Sequence, residues 1–183
     1  MPRQRHFVNV GRAGDTVFVT TTVLDFVLAF DRPELRTRMV SLLYRHCRLT
    51  ATRLHAYVVM PHHIHLLVLL GTGVSIRAFM QRLKEDGCKE LRPLLTAAKD
   101  AEFSMQRGLN RSVFWQRSFR SFVVESEATF WQKARYIHEN SVRAGLCAAP
   151  EEYLWSSARA FADGLWSEER GLPLDADCGA ARA

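Results

Sequence analysis

Apolar residues follow two different periods along this chain. Short runs rich in β-branched and apolar residues, each bounded by turn residues, predict four strands. These strands lie at about residues 16–23, 54–60, 63–70 and 113–125, the last one broken or bulged near its middle. Apolar residues three or four positions apart predict three helices, which begin at Asp31 to Pro33, at Ser75 and at Ser126 or Glu127. Their expected ends are Cys47, Pro93 and residues 140–145.

The order of these elements, β-α-β-β-α-β followed by one more helix, restricts the fold. Pro61-His62 predicts a tight turn, so the second and third strands should form an antiparallel hairpin. An α+β fold of ferredoxin-like type, an antiparallel sheet with helices on one face, suits this order. The 183 residues, 48% of them hydrophobic, fit one domain. We assign it to residues 1–150, and we expect residues 151–183 to pack on it as a C-terminal tail.

Charge is distributed unevenly between these two parts. The net charge is +6, with 22 bases and 12 acids in residues 1–150 but three bases and seven acids in residues 151–183. A basic body suits a polyanionic partner such as nucleic acid, although a solvated basic surface explains the charge equally well. No apolar run is long enough to cross a membrane, and the four cysteines are scattered without a metal or disulfide pattern. We therefore expect a cytoplasmic protein with no membrane partner.

Two histidines occupy alternate positions at the beginning of the third predicted strand. Successive strand side chains point to opposite faces, so His63 and His65 share one face and Ile64 occupies the other. Two imidazoles on one rigid strand can supply half of a metal site, with a third ligand from elsewhere in the chain. Histidines that only form structural hydrogen bonds fit the same pattern.

The third predicted helix carries a tyrosine beside its apolar stripe. Phe130, Ala134 and Ile137 lie on one face of this helix and should contact the sheet. Tyr136 and Asn140, four residues apart, lie together at the border of that face. The tyrosine could reach a site on the sheet from there, or it could pack its ring and leave its hydroxyl in water.

Four segments of the chain together resemble a known family. Residues 60–68 resemble the His-hydrophobic-His motif of the single-tyrosine HUH transposases. Residues 136–146 resemble the tyrosine helix of one branch, the REP-associated tyrosine transposases, and residues 113–119 and 153–157 are similar to further segments of that branch. The order of these segments and the spacing between them agree with the pattern of that family from about Val17 to Ser157. The resemblance implies that residues 1–150 form an HUH endonuclease domain.

The resemblance also implies a role for each candidate site residue. Tyr136 would be the nucleophile, and His63, His65 and Asn140 would bind a divalent metal, Mg²⁺ or Mn²⁺. The metal would supply charge withdrawal at the scissile phosphate, and the phenol would attack phosphorus and form a covalent 5′-phosphotyrosine. The implied activity is that of a single-stranded DNA endonuclease and strand transferase acting on hairpins, here REP-type palindromes.

Candidates for holding this DNA lie on the second helix and near the fourth strand. Cationic side chains would bind phosphates, and an aromatic ring could stack on unpaired bases. The DNA-binding candidates are Arg77, Arg82, Lys84, Arg117 and Arg120, with Trp115 as the stacking platform. Each of them also fits an ordinary surface or core position.

Two positions depart from the family pattern. His62 stands in the turn where relatives usually carry Asn or Asp, and it could add a ligand or be a tolerated substitution. The family's Asn-Pro-Val is Asn140-Ser141-Val142 here, so the proline that would end the helix beside the ligand is absent. Neither departure removes the tyrosine or the histidine pair.

Two other classes of protein remain as alternatives. A domesticated module that binds hairpin DNA without cutting it has no need of the tyrosine and both histidines. A replication-initiation protein or relaxase would share the metal strand but differ in its tyrosine motif. The sequence leaves open a monomer or a homodimer. It also leaves open whether the acidic tail covers the DNA-binding face, in which case truncation after Ser157 should raise cleavage.

Overall fold

The computed structural model describes residues 10–96 and 114–174, in which four strands form one antiparallel sheet. The strands are β1 (Thr16–Thr22), β2 (Arg53–Val59), β3 (His63–Leu69) and β4 (Arg120–Val123). The helices are α1 (Pro33–Leu49), α2 (Ile76–Thr96), α3 (Glu127–Arg143) and the short α4 (Ala158–Ala162). The strand order is β2-β3-β1-β4, so the histidine-bearing β3 lies inside the sheet.

The helices begin at the residues that their capping chemistry predicts. Pro33 opens α1 directly after Arg32, a position where its missing N–H costs nothing. Ser75 Oγ accepts the Ala78 N–H at 3.2 Å before α2, and Ser126 Oγ accepts the Thr129 N–H at 3.2 Å at the start of α3. These three predicted helix starts are confirmed.

Apolar side chains on the two faces of the sheet form two separate cores. On one face, α1 and α2 pack against residues such as Val19 and Leu66. On the other face, Ala134 and Ile137 of α3 pack against Leu67. The α+β class and the ferredoxin-like sheet are confirmed, with α1 and α2 on one face as predicted. The third helix lies on the opposite face, because its apolar stripe packs on the side of β3 that carries the histidines.

The tail closes the β2 edge of the sheet. The Ser157 N–H donates to the Tyr57 carbonyl at 3.0 Å, and the Leu172 N–H donates to the Leu54 carbonyl at 2.7 Å. Gly171 has a φ of +70° and approaches so closely that a Cβ would lie 2.6 Å from the Leu54 oxygen, so this position requires glycine. Residues 151–174 are therefore packed on the body along β2.

The fourth strand is shorter than its sequence pattern predicts. Among the described residues only Arg120–Val123 form β4, and Trp115 makes an isolated bridge to Val23. Phe114 and Trp115 turn inward, where they are 2% and 4% exposed. The second helix runs past Pro93 to Thr96. The mixed sequence from Pro93 to about Asn110, whose composition predicts an irregular connection, lies mostly in residues 97–113, outside the described residues, as do residues 1–9 and 175–183. No helix among the described residues is long and apolar enough to span a membrane.

Candidate active site

The fold brings the histidine pair and the tyrosine together within one chain. His63 and His65 lie side by side on β3, and their Nε2 atoms are 3.1 Å apart. The ring of Tyr136 on α3 packs edge-on against the imidazole of His65, with 5.3 Å between ring centroids. Three residues that the sequence singled out separately therefore form one cluster.

Strand β1 fixes the orientation of the His65 ring. Thr20 lies directly opposite His65 in the β1–β3 register, and its Oγ1 is 2.8 Å from His65 Nδ1. Phe18 stacks on the same imidazole, at 5.5 Å between centroids and 22° between planes. When Nδ1–H donates to Thr20, the lone pair of His65 is on Nε2 and faces His63.

Both histidines are neutral at pH 7. Burial, followed by the charge of His62, lowers the pKa of His63 to about 4. Burial, followed by the charges of His63, His62 and Lys133, lowers the pKa of His65 to about 3. The buried Nδ1 of His63 has no hydrogen-bond partner among the described residues. A neutral imidazole is the form that binds metal ions, so the protonation state of both histidines suits a role as metal ligands.

Asn140 is the third ligand that the family resemblance implies for a metal held by the two histidines. The described residues contain no cluster of three or more His, Cys, Asp or Glu side chains that could hold a metal. Asn140 lies one turn beyond Tyr136 and donates its Nδ2 hydrogen to the Tyr136 carbonyl at 3.0 Å, so Oδ1 is its candidate ligand atom. Two imidazole nitrogens and one amide oxygen, with positions left for water and phosphate, fit Mn²⁺ or Mg²⁺.

Tyr136 is held on one side and open on the other. Its ring meets the edge of Phe18 at 5.9 Å between centroids, yet the residue is 37% exposed. The Arg143 guanidinium lies 5.7 Å from the ring centroid. A positioned phenol with solvent access and a nearby cation can approach an anionic group of a large substrate.

Comparison with known proteins identifies the family of this arrangement. The family model described as "Transposase IS200 like" matches residues 28–140, which include both histidines and the tyrosine. This chain belongs to the IS200-like transposase family. The resemblance to tyrosine transposases inferred from the sequence motifs is thus confirmed at the level of the family.

Two solved structures are similar to this transposase. One is a REP-associated tyrosine transposase bound to a REP hairpin, with a TM-score of 0.60 and 19% identity over 96% of this chain and 90% of that chain. It therefore shares the fold. The other, described as a transposase from Deinococcus radiodurans, has a TM-score of 0.49 and 20% identity over 75% of this chain and 95% of that chain. Among curated proteins, none matches the sequence.

The predicted DNA-binding residues of the transposase lie on two sides of the sheet. Arg77, Lys84 and Arg117 line one groove, and Arg82 is exposed on the same helix, α2. This helix packs on the face opposite the histidines. Lys84 Nζ donates to the Gln116 carbonyl at 2.6 Å, so it holds the loop before β4.

Arg120 lies on the other side, with the histidines. It is the register partner of Thr20, the residue that contacts His65, and directly paired residues share a face. Arg120 is exposed. Of the five predicted cations, it is therefore the one on the face that carries the candidate site.

Trp115 is buried, which contradicts its predicted role as a stacking platform. It is 4% exposed and packs against Phe30 and Phe114, with centroids 5.6 and 4.9 Å apart. Gly87 covers it so closely that a Cβ there would lie 3.2 Å from Trp115 Nε1. No ring face is open to a base, so the prediction is wrong and Trp115 is a core residue.

His62 and the tail occupy positions beside the site. His62 lies in the β2–β3 turn, with its ring 4.5 Å from that of His63 and 5.7 Å from that of Phe26. The described part of the tail contacts β2, α1 and the side of α3 that carries His138, whereas Tyr136 faces β1. Tyr153 of the tail belongs to the core on the histidine face together with Leu67, yet Tyr136 remains 37% exposed with residues 151–174 in place.

Sequence reasoning missed the residues that support the site from neighbouring elements. Thr20 and Phe18 hold His65, and Lys133 Nζ lies 5.0 Å from the centroid of the Phe18 ring. The alternation of β1 does place Phe18 and Thr20 on one face. What the sequence lacks is the register that sets this face against His65.

Proposed function

We propose that this transposase is a metal-dependent single-stranded DNA endonuclease and strand transferase that uses Tyr136 as its nucleophile. The observation that carries the proposal is the packing of a half-exposed tyrosine against the buried His65, whose Nε2 lies 3.1 Å from that of the half-buried His63. A structural histidine pair would not need a half-exposed phenol beside it. Membership of the transposase family indicates that the reaction of this cluster is the cutting and joining of DNA strands.

The chain's own residues account for positioning in this reaction. His63, His65 and Asn140 would hold a divalent cation, which supplies charge withdrawal and orientation at the scissile phosphate. The Tyr136 oxygen forms a bond to phosphorus as the bond to the 3′ oxygen breaks, which gives a 5′-phosphotyrosine. The phenol loses one proton, and the leaving 3′ oxygen gains one proton as it becomes a hydroxyl. Because no water is consumed, that hydroxyl can later attack the phosphotyrosine and rejoin a strand.

Hairpin DNA of the REP type is the proposed substrate. The similar structure that aligns with 96% of this chain is bound to a REP hairpin. The motifs at residues 136–146 and 153–157 indicate the same branch. Electrostatics supports an anionic substrate, because the net charge is +6 and Tyr136 is 37% exposed with the described part of the tail in place.

A monomer suffices for this proposed site. His65 and Tyr136 of the same chain are already in contact. The β2 edge, where another copy could pair strand to strand, is occupied by Ser157 and Leu172 of the tail. A homodimer that exchanged its tyrosines would have to separate these contacts.

The test is formation of a covalent adduct. The full-length protein, a REP-type hairpin oligonucleotide with single-stranded flanks and Mn²⁺ should give a DNA-linked band on a denaturing gel. Tyr136→Phe should abolish the band, because it removes only the attacking oxygen, whereas Tyr44→Phe, a tyrosine of α1, should retain it. His63→Ala and His65→Ala should lower the yield and change its dependence on Mn²⁺.

Two outcomes would contradict the proposal. An adduct formed by Tyr136→Phe would exclude this tyrosine as the nucleophile. Hairpin binding by the wild type without any adduct, unchanged by a chelator, would instead support the hairpin-binding module that does not cut.

A further inference from the structure

A strip of aromatic and cationic side chains leads from Tyr136 to the open edge of the sheet. Tyr136 meets Phe18, and Phe18 pairs across the β1–β4 register with Phe122. Lys133 on α3 covers both phenyl rings, with Nζ 5.0 Å from the Phe18 centroid and 5.5 Å from the Phe122 centroid. Arg120, two residues before Phe122, points to the same face. We call these residues the Phe122 strip.

Phe122 is more exposed than its position on a packed face of the sheet leads one to expect. It is 50% exposed, although it lies on the face where Phe18 and α3 form a core. Strand β4 is the last strand of the sheet within the described residues, so part of the phenyl ring faces solvent beside the edge. Lys133 shields one part of this ring and leaves another part open to a flat partner.

The charge around Phe122 indicates which flat partner it suits. Lys133 and Arg120 are cations next to an aromatic ring, the combination with which proteins hold single-stranded nucleic acid. Another exposed aromatic residue, Trp131, which is 41% exposed, has opposite surroundings. It lines a pocket with Glu125, Glu127 and Glu168, whose carboxylates would repel a phosphate backbone.

We propose that Phe122 stacks on an unpaired base adjacent to the scissile phosphate, and that Lys133 binds the phosphate between this base and Tyr136. The inference rests on the proposed function and adds a nucleotide subsite to it. The order of contacts from Phe122 through Lys133 and Phe18 to Tyr136 places the stacked base beside the nucleophile. Phe122 thereby takes the stacking role that the sequence pattern suggested for Trp115.

Binding of two hairpins without chemistry tests this subsite. One oligonucleotide carries an unpaired flank with 2-aminopurine, whose fluorescence is quenched by stacking, and the other is the same hairpin with no flank. In EDTA, wild type should bind the flanked hairpin more tightly and quench its fluorescence. Phe122→Ala should weaken binding of the flanked hairpin about tenfold, lose the quenching and bind the blunt hairpin normally.

Further variants separate stacking from folding and from charge. Phe122→Trp should keep both affinity and quenching, whereas Phe122→Leu, which keeps an apolar side chain without a π face, should lose them. Lys133→Met should flatten the salt dependence of binding to the flanked hairpin. Trp131→Ala, the matched exposed aromatic residue among carboxylates, should bind both hairpins like wild type. Thermal melting followed by circular dichroism verifies that each variant is folded.

The inference is overturned if folded Phe122→Ala or Phe122→Leu binds the flanked hairpin as wild type does. It is also overturned if wild type binds both hairpins equally. These measurements need no cleavage, so they are distinct from the adduct assay. Absence of an adduct would reject the proposed nuclease, while quenching of 2-aminopurine that Phe122→Ala abolishes would still establish stacking.

Discussion

Replacing Ser157 with alanine removes one hydroxyl that joins three parts of the fold. Its Oγ accepts the Tyr57 N–H of β2 at 2.9 Å and lies 2.8 Å from Nε2 of His138 on α3, while the residue itself belongs to the tail. Burial lowers the pKa of His138 to about 4, so the neutral ring can accept the hydroxyl hydrogen. Ser157 is 2% exposed, and this hydroxyl links the helix that carries Tyr136 to the edge of the sheet.

The expected cost follows from the two groups that lose their partner. An unsatisfied buried polar group costs roughly 1–3 kcal/mol, and the variant leaves the Tyr57 N–H and His138 Nε2 without the Ser157 oxygen. His138 is only half-buried, so water can replace part of its bond. We expect Ser157→Ala to lower the free energy of unfolding by about 2–4 kcal/mol, a large share of the roughly 5–15 kcal/mol of a typical domain.

Urea unfolding followed by tryptophan fluorescence measures this loss. Ser41→Ala is the matched control, because Ser41 is exposed and its Oγ donates to the Thr37 carbonyl within α1 at 3.1 Å, so it should change stability by less than about 0.5 kcal/mol. Hydrogen exchange should also accelerate at the Tyr57 amide in Ser157→Ala. A loss below about 0.5 kcal/mol with unchanged exchange at Tyr57 would refute the hydroxyl's role as a link.

Three further predictions concern stability. His55 is 3% exposed, and burial lowers its pKa from 6.5 to about 4. As the pH falls, His55 is therefore protonated in the unfolded chain before it is protonated in the folded protein. The stability that the neutral ring contributes is complete above about pH 7 and is reduced by about 2 kcal/mol at pH 5. His55→Leu should reduce the pH dependence of urea unfolding without abolishing it, because His63, His65 and His138 also have lowered pKa values, and an unchanged slope would contradict this. Truncation after Ser157 removes Trp166 and Leu172 from apolar surface, so it should lower stability and adduct yield, whereas a higher yield would mean that the tail restrains cleavage. Trp115→Leu should lower the free energy of unfolding by about 2–4 kcal/mol. The hairpin affinity of the folded variant should stay within about twofold of the wild-type affinity. A fully folded variant that binds the hairpin more weakly would mean that Trp115 does contribute to binding.

Local periodicity was sufficient to predict the elements and part of the site. Residues two apart on a strand share a face whatever else the fold does, so the pairing of His63 with His65 followed directly from their spacing. The caps at Ser75 and Ser126 are equally local, since each hydroxyl accepts an N–H three residues onward. Tyr136 became a nucleophile candidate through the family resemblance, because its position at the border of a helix face also suits an ordinary tyrosine.

These local patterns do not predict contacts between segments that are distant in the sequence. Thr20 contacts His65 only because β1 and β3 pair in one particular register, and a shift of one residue would have turned Thr20 to the other face. Trp115 and Phe122 occur in one predicted strand. Which of them is exposed depends on the inward turn at Trp115 against Phe30 and Gly87, neither of which is near it in sequence.

The closure of the β2 edge has a consequence for the order in which the molecule becomes complete. Tyr57 and Ser157 are separated by 100 positions, and Leu172 pairs with Leu54 from still further along the chain. During synthesis, the N-terminal part can fold before the tail leaves the ribosome. Until then the β2 edge is unpaired and α3 lacks its link through His138. We expect nascent chains that end before Ser157 to be prone to aggregation and unable to form the proposed phosphotyrosine, so that the chain becomes reactive towards DNA only after the segment with Ser157 and Leu172 has left the ribosome.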